Sequence, residues 1–267
     1  MNNIVANYHT HTYLCKHAIG KPIDYVRRAV ELGYEEIAIT DHGPLIDEII
    51  NSFYTRRMSY DQYYKNYLPE LSEAIEKYSS QIKIIKGIEI EYFESMKDEY
   101  KKFLKDLDML IIGQHYFYYN NQYSNVYNRL TDDEIKKYGQ TVIQAMETGM
   151  FKIIAHPEIF AYTRKWDDIC EEVSEQIIKS AKKNNVYIEL NANGIRNCIE
   201  RKKYWLEDGE MNYSYPRREF FKIVKKYNMP IIINDDAHDP KMLNDKFTDL
   251  AYKMADELGL TILKKIN

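Results

Sequence analysis

Seven short apolar runs, most of them rich in β-branched residues, recur along the 267-residue chain, at 4–8, 36–40, 82–90, 109–113, 152–155, 186–190 and 230–234. Each is followed by a polar loop and most lead into an amphipathic stretch. Runs this short and unbroken read as strands buried on both faces, the condition of a parallel sheet covered by helices. The intervening periodicity predicts helices near 23–32, 60–78, 95–107, 132–148, 169–184 and 218–227, and one more, near 243–258, after the last run. Thr131-Asp132-Asp133-Glu134 has the hydroxyl-then-glutamate spacing of a capping box. Gly33 and Gly149 stand where helices should end, and Pro230 opens a strand, where a missing donor matters least. A further extended stretch near 260–263 is expected to help close the structure. Seven strand-then-helix units in one chain predict a single α/β domain over 1–267, a (β/α)7 TIM-like barrel; a doubly wound open sheet is the alternative that periodicity leaves open.

Composition narrows the class further. With 45% apolar and 29% charged residues and a net charge of −4, the chain is too apolar and too weakly charged for a disordered protein. No run approaches the ~18 to 20 consecutive apolar residues of a membrane helix. The start, Met1-Asn2-Asn3-Ile4, lacks the basic and apolar segments of a secretory signal, so a cytoplasmic location is expected. Three scattered cysteines, Cys15, Cys170 and Cys198, make neither a disulfide framework nor a CxxC zinc site. The mildly acidic balance gives no electrostatic footprint for nucleic acid. Tyrosine is abundant, at 25 residues, which reads as compositional bias rather than a functional patch.

The seven histidines are the informative residues. His9 and His11 leave the first run, with His17 shortly after; His42 leaves the second, His115 the fourth, His156 the fifth and His238 the seventh. The third run ends in Gly87-Ile88-Glu89-Ile90-Glu91, the sixth in Glu189-Leu190-Asn191, and Asp236 stands two residues before His238. One histidine alone would be an ordinary core or surface group; their shared position is the signal. In a parallel barrel all carboxyl ends meet at one mouth, where such folds place their chemistry. In extended chain, side chains at i and i+2 share a face, so His9 and His11 can reach one ion, and Asp236 and His238 repeat that geometry. Imidazoles and carboxylates without cysteine suit Zn, Mn or Fe better than Mg or Ca. The donors are too many for one tetrahedral site and predict two to three divalent transition metals. Neighbouring ions polarise water to hydroxide and neutralise charge on a phosphoryl group, so the expected chemistry is metal-assisted hydrolysis.

The ordered set His9-Thr10-His11, His17, Thr40-Asp41-His42, Gly87-Ile88-Glu89, His115, His156-Pro157 and Asp236-Ala237-His238 resembles the polymerase and histidinol phosphatase (PHP) superfamily of metal-dependent phosphoesterases, over essentially the whole chain. The resemblance implies a distorted (β/α)7 barrel and a trinuclear site. One metal would take His9, His11, Glu89 and Asp236; a second would share Glu89 and add His115 and His156; a third would use His17, His42 and His238. The choice of Glu89 over Glu91 rests on the family's Gly-x-Glu pattern, since spacing does not separate them. Asp41 is expected behind the ligands as an orienting group. The segment from Ile188 to Arg196 and the pair Tyr215-Pro216 resemble the stand-alone histidinol-phosphatase branch. Two positions depart from it: Asn234 stands where a serine is usual, and Asn193 where a small hydroxyl residue is.

What the resemblance implies is hydrolysis of L-histidinol phosphate, a small-molecule phosphate ester, by attack of a metal-bound hydroxide; the leaving-group proton is expected either from a metal-bound water or from the Asp236 and His238 region, which the sequence does not separate. Arginine's planar fork suits phosphate oxygens, which makes Arg196, past the sixth run, and Arg164, after the fifth, the substrate-binding candidates. Arg201, Lys202 and Lys203 read as a solvated helix face. Cys15 reads as a small buried residue. The same ligands could serve a nucleotide or oligonucleotide phosphodiesterase, which would require a basic track, or a non-catalytic domain, which would tend to have lost ligands. An amidohydrolase barrel also opens with His-x-His but places a bridging lysine where this chain has His115.

Overall fold

The computed structural model describes residues 4–207 and 209–267. Seven parallel strands, β1 (Ala6–Asn7), β2 (Glu36–Ile39), β3 (Lys83–Ile90), β4 (Met109–Ile112), β5 (Phe151–Ile154), β6 (Tyr187–Asn191) and β7 (Ile231–Asn234), lie side by side in sequence order. The array is a nearly closed barrel. Beyond the carboxyl ends of β1 and β7, Thr10 bridges Ala237, with the His11 amide donating to the Ala237 carbonyl at 2.8 Å and the Ala237 amide to the His9 carbonyl at 3.2 Å. At the opposite end the expected extended stretch does pair, Ile262 bridging Ile231. β1 is shorter than its apolar run because the Tyr8 amide donates to the Asn234 side chain, at 2.9 Å, instead of to a neighbouring strand.

Alternation along the strands sorts the core into two layers. Met109 and Ile111 of β4 join Ala6, Tyr8, Ala38, Ile85, Ile153 and Ile232 inside the barrel, while Leu110 and Ile112 face the helices. Leu263 and Ile266 pack against the inner cluster from below. The inside is therefore a filled core, with room for chemistry only above it, at the carboxyl-end rim.

The helices are α1 (Pro22–Glu31), α2 (Leu68–Tyr78), α3 (Lys97–Asp106), α4 (Asp132–Glu147), α5 (Asp168–Asn184), α6 (Ala192–Glu200), α7 (Arg218–Lys226) and α8 (Lys246–Glu257). The Thr131–Glu134 capping box forms, each residue accepting from the other's amide. Gly33 and Gly149 follow their helices at φ +76° and +70°, a left-handed conformation that costs glycine nothing. The single stretch expected at 60–78 is broken by a π-helical turn, Tyr63–Tyr67, which presents the Tyr67 hydroxyl to the carbonyls of Ile39 and Gly87 at 2.9 and 2.7 Å. α8 starts later than its periodicity suggested, because Asp245 Oδ1 accepts from the amides of Phe247 and Thr248 and fixes the first turn there.

Among the elements not foreseen, three bear on the rim. Two antiparallel hairpins, Tyr116–Tyr119 with Gln122–Asn125 and Tyr204–Glu207 with Glu210–Tyr213, rise from the rim after β4 and after α6. α6 itself starts in Ala-Asn-Gly, which reads as a turn, yet Asn191 accepts from the Gly194 amide at 2.8 Å and begins a helix. Arg201–Lys203 consequently lead out of α6 towards the second hairpin and lie on no helix face. No helix among the described residues is long and apolar enough to cross a membrane.

Candidate metal centre

All seven histidines converge at the barrel rim. His9 and His11 ride on the chain leaving β1, held there by the bridge to Ala237, so alternation turns both rings the same way. His42 follows β2, Glu89 lies on β3, His115 follows β4, His156 follows β5, and Asp236 and His238 follow β7. Ring centroids are 5.0 Å apart for His9 and His11, 4.4 Å for His11 and His42, 4.2 Å for His11 and His238, 4.8 Å for His17 and His238, and 4.8 Å for His115 and His156.

The Glu89 carboxylate sits in the middle. Its Oε1 is 3.0 Å from His156 Nε2 and 3.9 Å from His115 Nε2; its Oε2 is 3.0 Å from His42 Nδ1 and 3.5 Å from the Nε2 atoms of His9 and His11. Gly113 makes room for it, since a Cβ there would stand 2.0 Å from Glu89 Oε1. Asp236 Oδ1 faces the same space, 2.9 Å from His11 Nε2. Glu91, the alternative the spacing left open, is committed elsewhere: its Oε1 accepts from buried Arg57 at 2.8 Å and lies 3.3 Å from His115 Nδ1.

Outer partners turn the imidazole lone pairs inward. His9 Nδ1 bonds Glu189 Oε1 at 2.8 Å, His17 Nδ1 the Cys15 carbonyl at 2.7 Å, and His238 Nδ1 the Asp236 carbonyl at 2.9 Å. A carbonyl or carboxylate only accepts, so each Nδ1 carries a proton, and Nε2 is the nitrogen whose lone pair a metal would take once any second proton has left. His115 repeats the pattern through Glu91. Asp41 stands behind, 3.5 Å from His11 Nδ1 and bonded to the His42 amide at 2.8 Å. Glu189 was not singled out from sequence, although its position at the end of the sixth run was the available signal. Cys15 is buried and its thiol donates to the Thr12 carbonyl at 3.1 Å.

Electrostatics of the metal-free cluster follow from burial. Burial disfavours charge on Glu89 and Asp236, but the surrounding imidazoles overcome it and hold both well below the usual carboxylate range, with His9 foremost at each. Burial also disfavours charged His9 and His11; Glu189 and Asp236 at the first, and Asp236 and Asp41 at the second, outweigh it and raise both, His11 to about 9. Burial, with the charge of His11, lowers His42 and His238 to about 3. The carboxylates thus demand positive charge, which protons supply in the absence of a cation.

Donors fit divalent metals on structural grounds. Buried Glu89 Oε2 and Asp236 Oδ1 face only imidazole nitrogens and have no well-aligned hydrogen-bond donor among the described residues, an arrangement costly for a carboxylate unless a cation completes it. His9, His11 and Glu89; His42, Glu89 and His115; and His17, His42 and His238 each bring three ligand atoms within 4.8 Å of one another. His156 and Asp236 hold left-handed backbone at φ +33° and +45°, uncommon for non-glycine residues and a conformation that persists at functional sites where the surroundings enforce it. The His156 amide is pinned by Glu189 Oε2 at 3.1 Å.

Above the cluster lies a cavity of about 370 Å³, lined besides the histidines by Arg56, Tyr127, Asn193, Arg196, Asn197, Glu200, Arg201 and Tyr215. Arg196 faces it as expected, its guanidinium held by Asn193 Oδ1 at 2.8 Å and Asp245 Oδ2 at 2.9 Å. Arg164 does not. It pairs with Asp167 and, at 2.6 Å, with Asp132, outside the mouth, because both acidic residues open helices beside it. Arg56 and Arg201 take the place at the rim that Arg164 was expected to fill. Arg56 lies in the long segment between β2 and α2 and Arg201 just past α6, positions that carry no local mark in the sequence.

Comparison with known proteins bears on the fold and the family. A Deinococcus radiodurans protein named "Probable histidinol-phosphatase" is 22% identical over 95% of this chain and 94% of its own. The crystal structure of hisK from Listeria monocytogenes superposes with a TM-score of 0.73 at 17% identity, covering 91% of this chain and 99% of that one. Histidinol phosphate phosphatase from Lactococcus lactis, solved with zinc, L-histidinol and phosphate, superposes with a TM-score of 0.68, also at 17% identity, over 98% of each chain. These likenesses establish the barrel. The PHP domain model matches residues 7–193, more than half of the sequence, and the chain belongs to the PHP domain family.

Proposed function

We propose that the chain is a metal-dependent phosphomonoester hydrolase acting on L-histidinol phosphate. The observation that carries this reading is the set of imidazoles whose Nδ1 atoms are tied outward, leaving Nε2 atoms and the unpaired Glu89 and Asp236 oxygens facing one space. In the proposed assignment His9, His11, Glu89 and Asp236 hold one ion, Glu89, His115 and His156 a second, and His17, His42 and His238 a third. Two to three divalent ions, Zn, Mn or Fe, suit these donors. Bound there, such ions supply Lewis acidity, activating water near neutral pH and offsetting charge on the phosphoryl oxygens.

The chain's own groups do the rest. Arg196, fixed by Asn193 and Asp245, offers a pre-set guanidinium to phosphate oxygens. Asp236 Oδ1 and neighbouring His238, whose Nδ1 lies 3.5 Å from it, form the proposed relay: deprotonated at rest, they take up the proton released by the attacking water and hand it to the departing alcohol oxygen. The cavity's size suits a small ligand. Support for the substrate comes from the named relatives and from the Lactococcus neighbour, which holds zinc, L-histidinol and phosphate. Metal-replete protein should release phosphate from L-histidinol phosphate with a kcat/KM well above that for p-nitrophenyl phosphate. Equal rates on the two would refute the substrate assignment, and no release from either would refute the hydrolase.

A further inference from the structure

Both tryptophans of the chain lie at one place outside the metal mouth. Trp166, in the loop before α5, and Trp205, on the second hairpin, flank the guanidinium of Arg217, whose carbon is 5.7 and 5.0 Å from their ring centroids. Arg217 is only 3% exposed. Its Nη2 donates to the Arg164 carbonyl at 2.9 Å, but its Nε is buried without a partner. Among the described residues no carboxylate oxygen comes within 4.0 Å of this guanidinium. Arg217 forms the base of a cavity of about 590 Å³ that shares no lining residue with the metal mouth. Lys165 and Lys203 also line it, as do Arg164 and the carboxylates Glu207 and Glu219, so cations outnumber anions in its wall by four to two.

A buried cation is normally paired, because desolvation is costly. Two indole faces offset part of that cost through cation–π attraction. They leave the in-plane Nε–H of the guanidinium without an acceptor among the described residues, and in-plane N–H groups are the ones that recognise planar oxyanions. We propose that this cavity is a second binding site, for a small molecule bearing a carboxylate or phosphate and a flat group that lies against the indoles. The anion would accept from Arg217, with Lys165 and Lys203 adding charge at the rim. This site stands independently of the reaction at the metal centre.

Both tryptophans line this cavity and neither lines the metal mouth, so indole emission is the direct reporter of binding here. Metal-replete protein would be titrated with inorganic phosphate and separately with malonate, against sodium chloride at matched ionic strength. A saturable emission change is expected with at least one of the two oxyanions and none with chloride; phosphate alone would identify phosphate esters as the ligand class, malonate alone carboxylates. Arg217→Gln should weaken the half-point by at least about tenfold, as loss of a charged hydrogen bond does. Should that variant fail to fold, the Lys165→Ala, Lys203→Ala double variant should still weaken it severalfold. No saturable change, an equal change with chloride, or an undiminished response in the folded variants would overturn the proposal.

Discussion

Four donors meet on the carboxylate of Glu189: His9 Nδ1, the Asn234 and Asn191 side-chain amides, and the His156 backbone amide. Through them one buried side chain fixes a ring tautomer and a left-handed backbone on different strands. Glu189→Gln should therefore weaken metal binding by roughly 10–100-fold, measured by competition with a chelator, while leaving the fold intact. Glu89→Gln should nearly abolish both metal retention and turnover, whereas Glu91→Gln, which disturbs the orientation of His115 and the buried pair with Arg57, should be milder for metal retention in the folded protein; equal losses would contradict the assignment. The sign of the pH dependence follows from His11. Its value of about 9 in the metal-free chain lies above the ordinary 6.5. Its contribution to metal-free stability is complete below pH 6.5 and is lost as pH rises through 9. Metal must expel that proton, so metal affinity should rise across the same interval, with proton release visible by calorimetry in buffers of different ionisation enthalpy. That the histidines would gather at one rim could be read from their positions alone. Glu89 against Glu91 could not, because two residues on one strand face differ only in what stands opposite, here Gly113 for one and Arg57 for the other.

Strand exits are where the elements become functional, and each exit solves a local packing problem. At β4 the solution is Gly113, whose missing side chain leaves the pocket for Glu89. Gly113→Ala should push the carboxylate away from His156 and lower metal affinity and kcat/KM together by about tenfold or more, a change of the size expected from misplacing a reacting group. Retention of both would mean that the carboxylate has another place to go. Apolar runs and helix stops located the strands and most helices within a few residues, because parallel strands buried on both faces and glycine helix ends leave strong local marks. α6 and the hairpins left none. α6 depends on Asn191 capping and on Gly194 letting the Tyr215 ring within 2.7 Å of where a Cβ would be. The first hairpin reads as one long polar and aromatic loop until its strands pair.

At the scale of the molecule, the proposed ligands come from the exits of β1, β2, β4, β5 and β7 and from β3 itself, so bound ions would tie together the seam where β1 meets β7. Ions that bind only the folded chain stabilise it by mass action, about 2.7 kcal/mol at a hundred times the dissociation constant. Exhaustive chelation should accordingly lower the melting temperature by several degrees, and Zn or Mn should restore it; a melting curve indifferent to chelator would mean that the rim is rigid without metal. The barrel was legible in sequence because seven similar units repeat. Its closure was only partly legible, since the Thr10–Ala237 bridge joins residues more than two hundred positions apart and carries no local signature. The most direct test of the whole account is anomalous X-ray scattering from crystals of the zinc-loaded protein. Two to three peaks should appear among His9, His11, His17, His42, Glu89, His115, His156, Asp236 and His238, with Glu89 between two of them. Peaks elsewhere, or none at the rim, would contradict it.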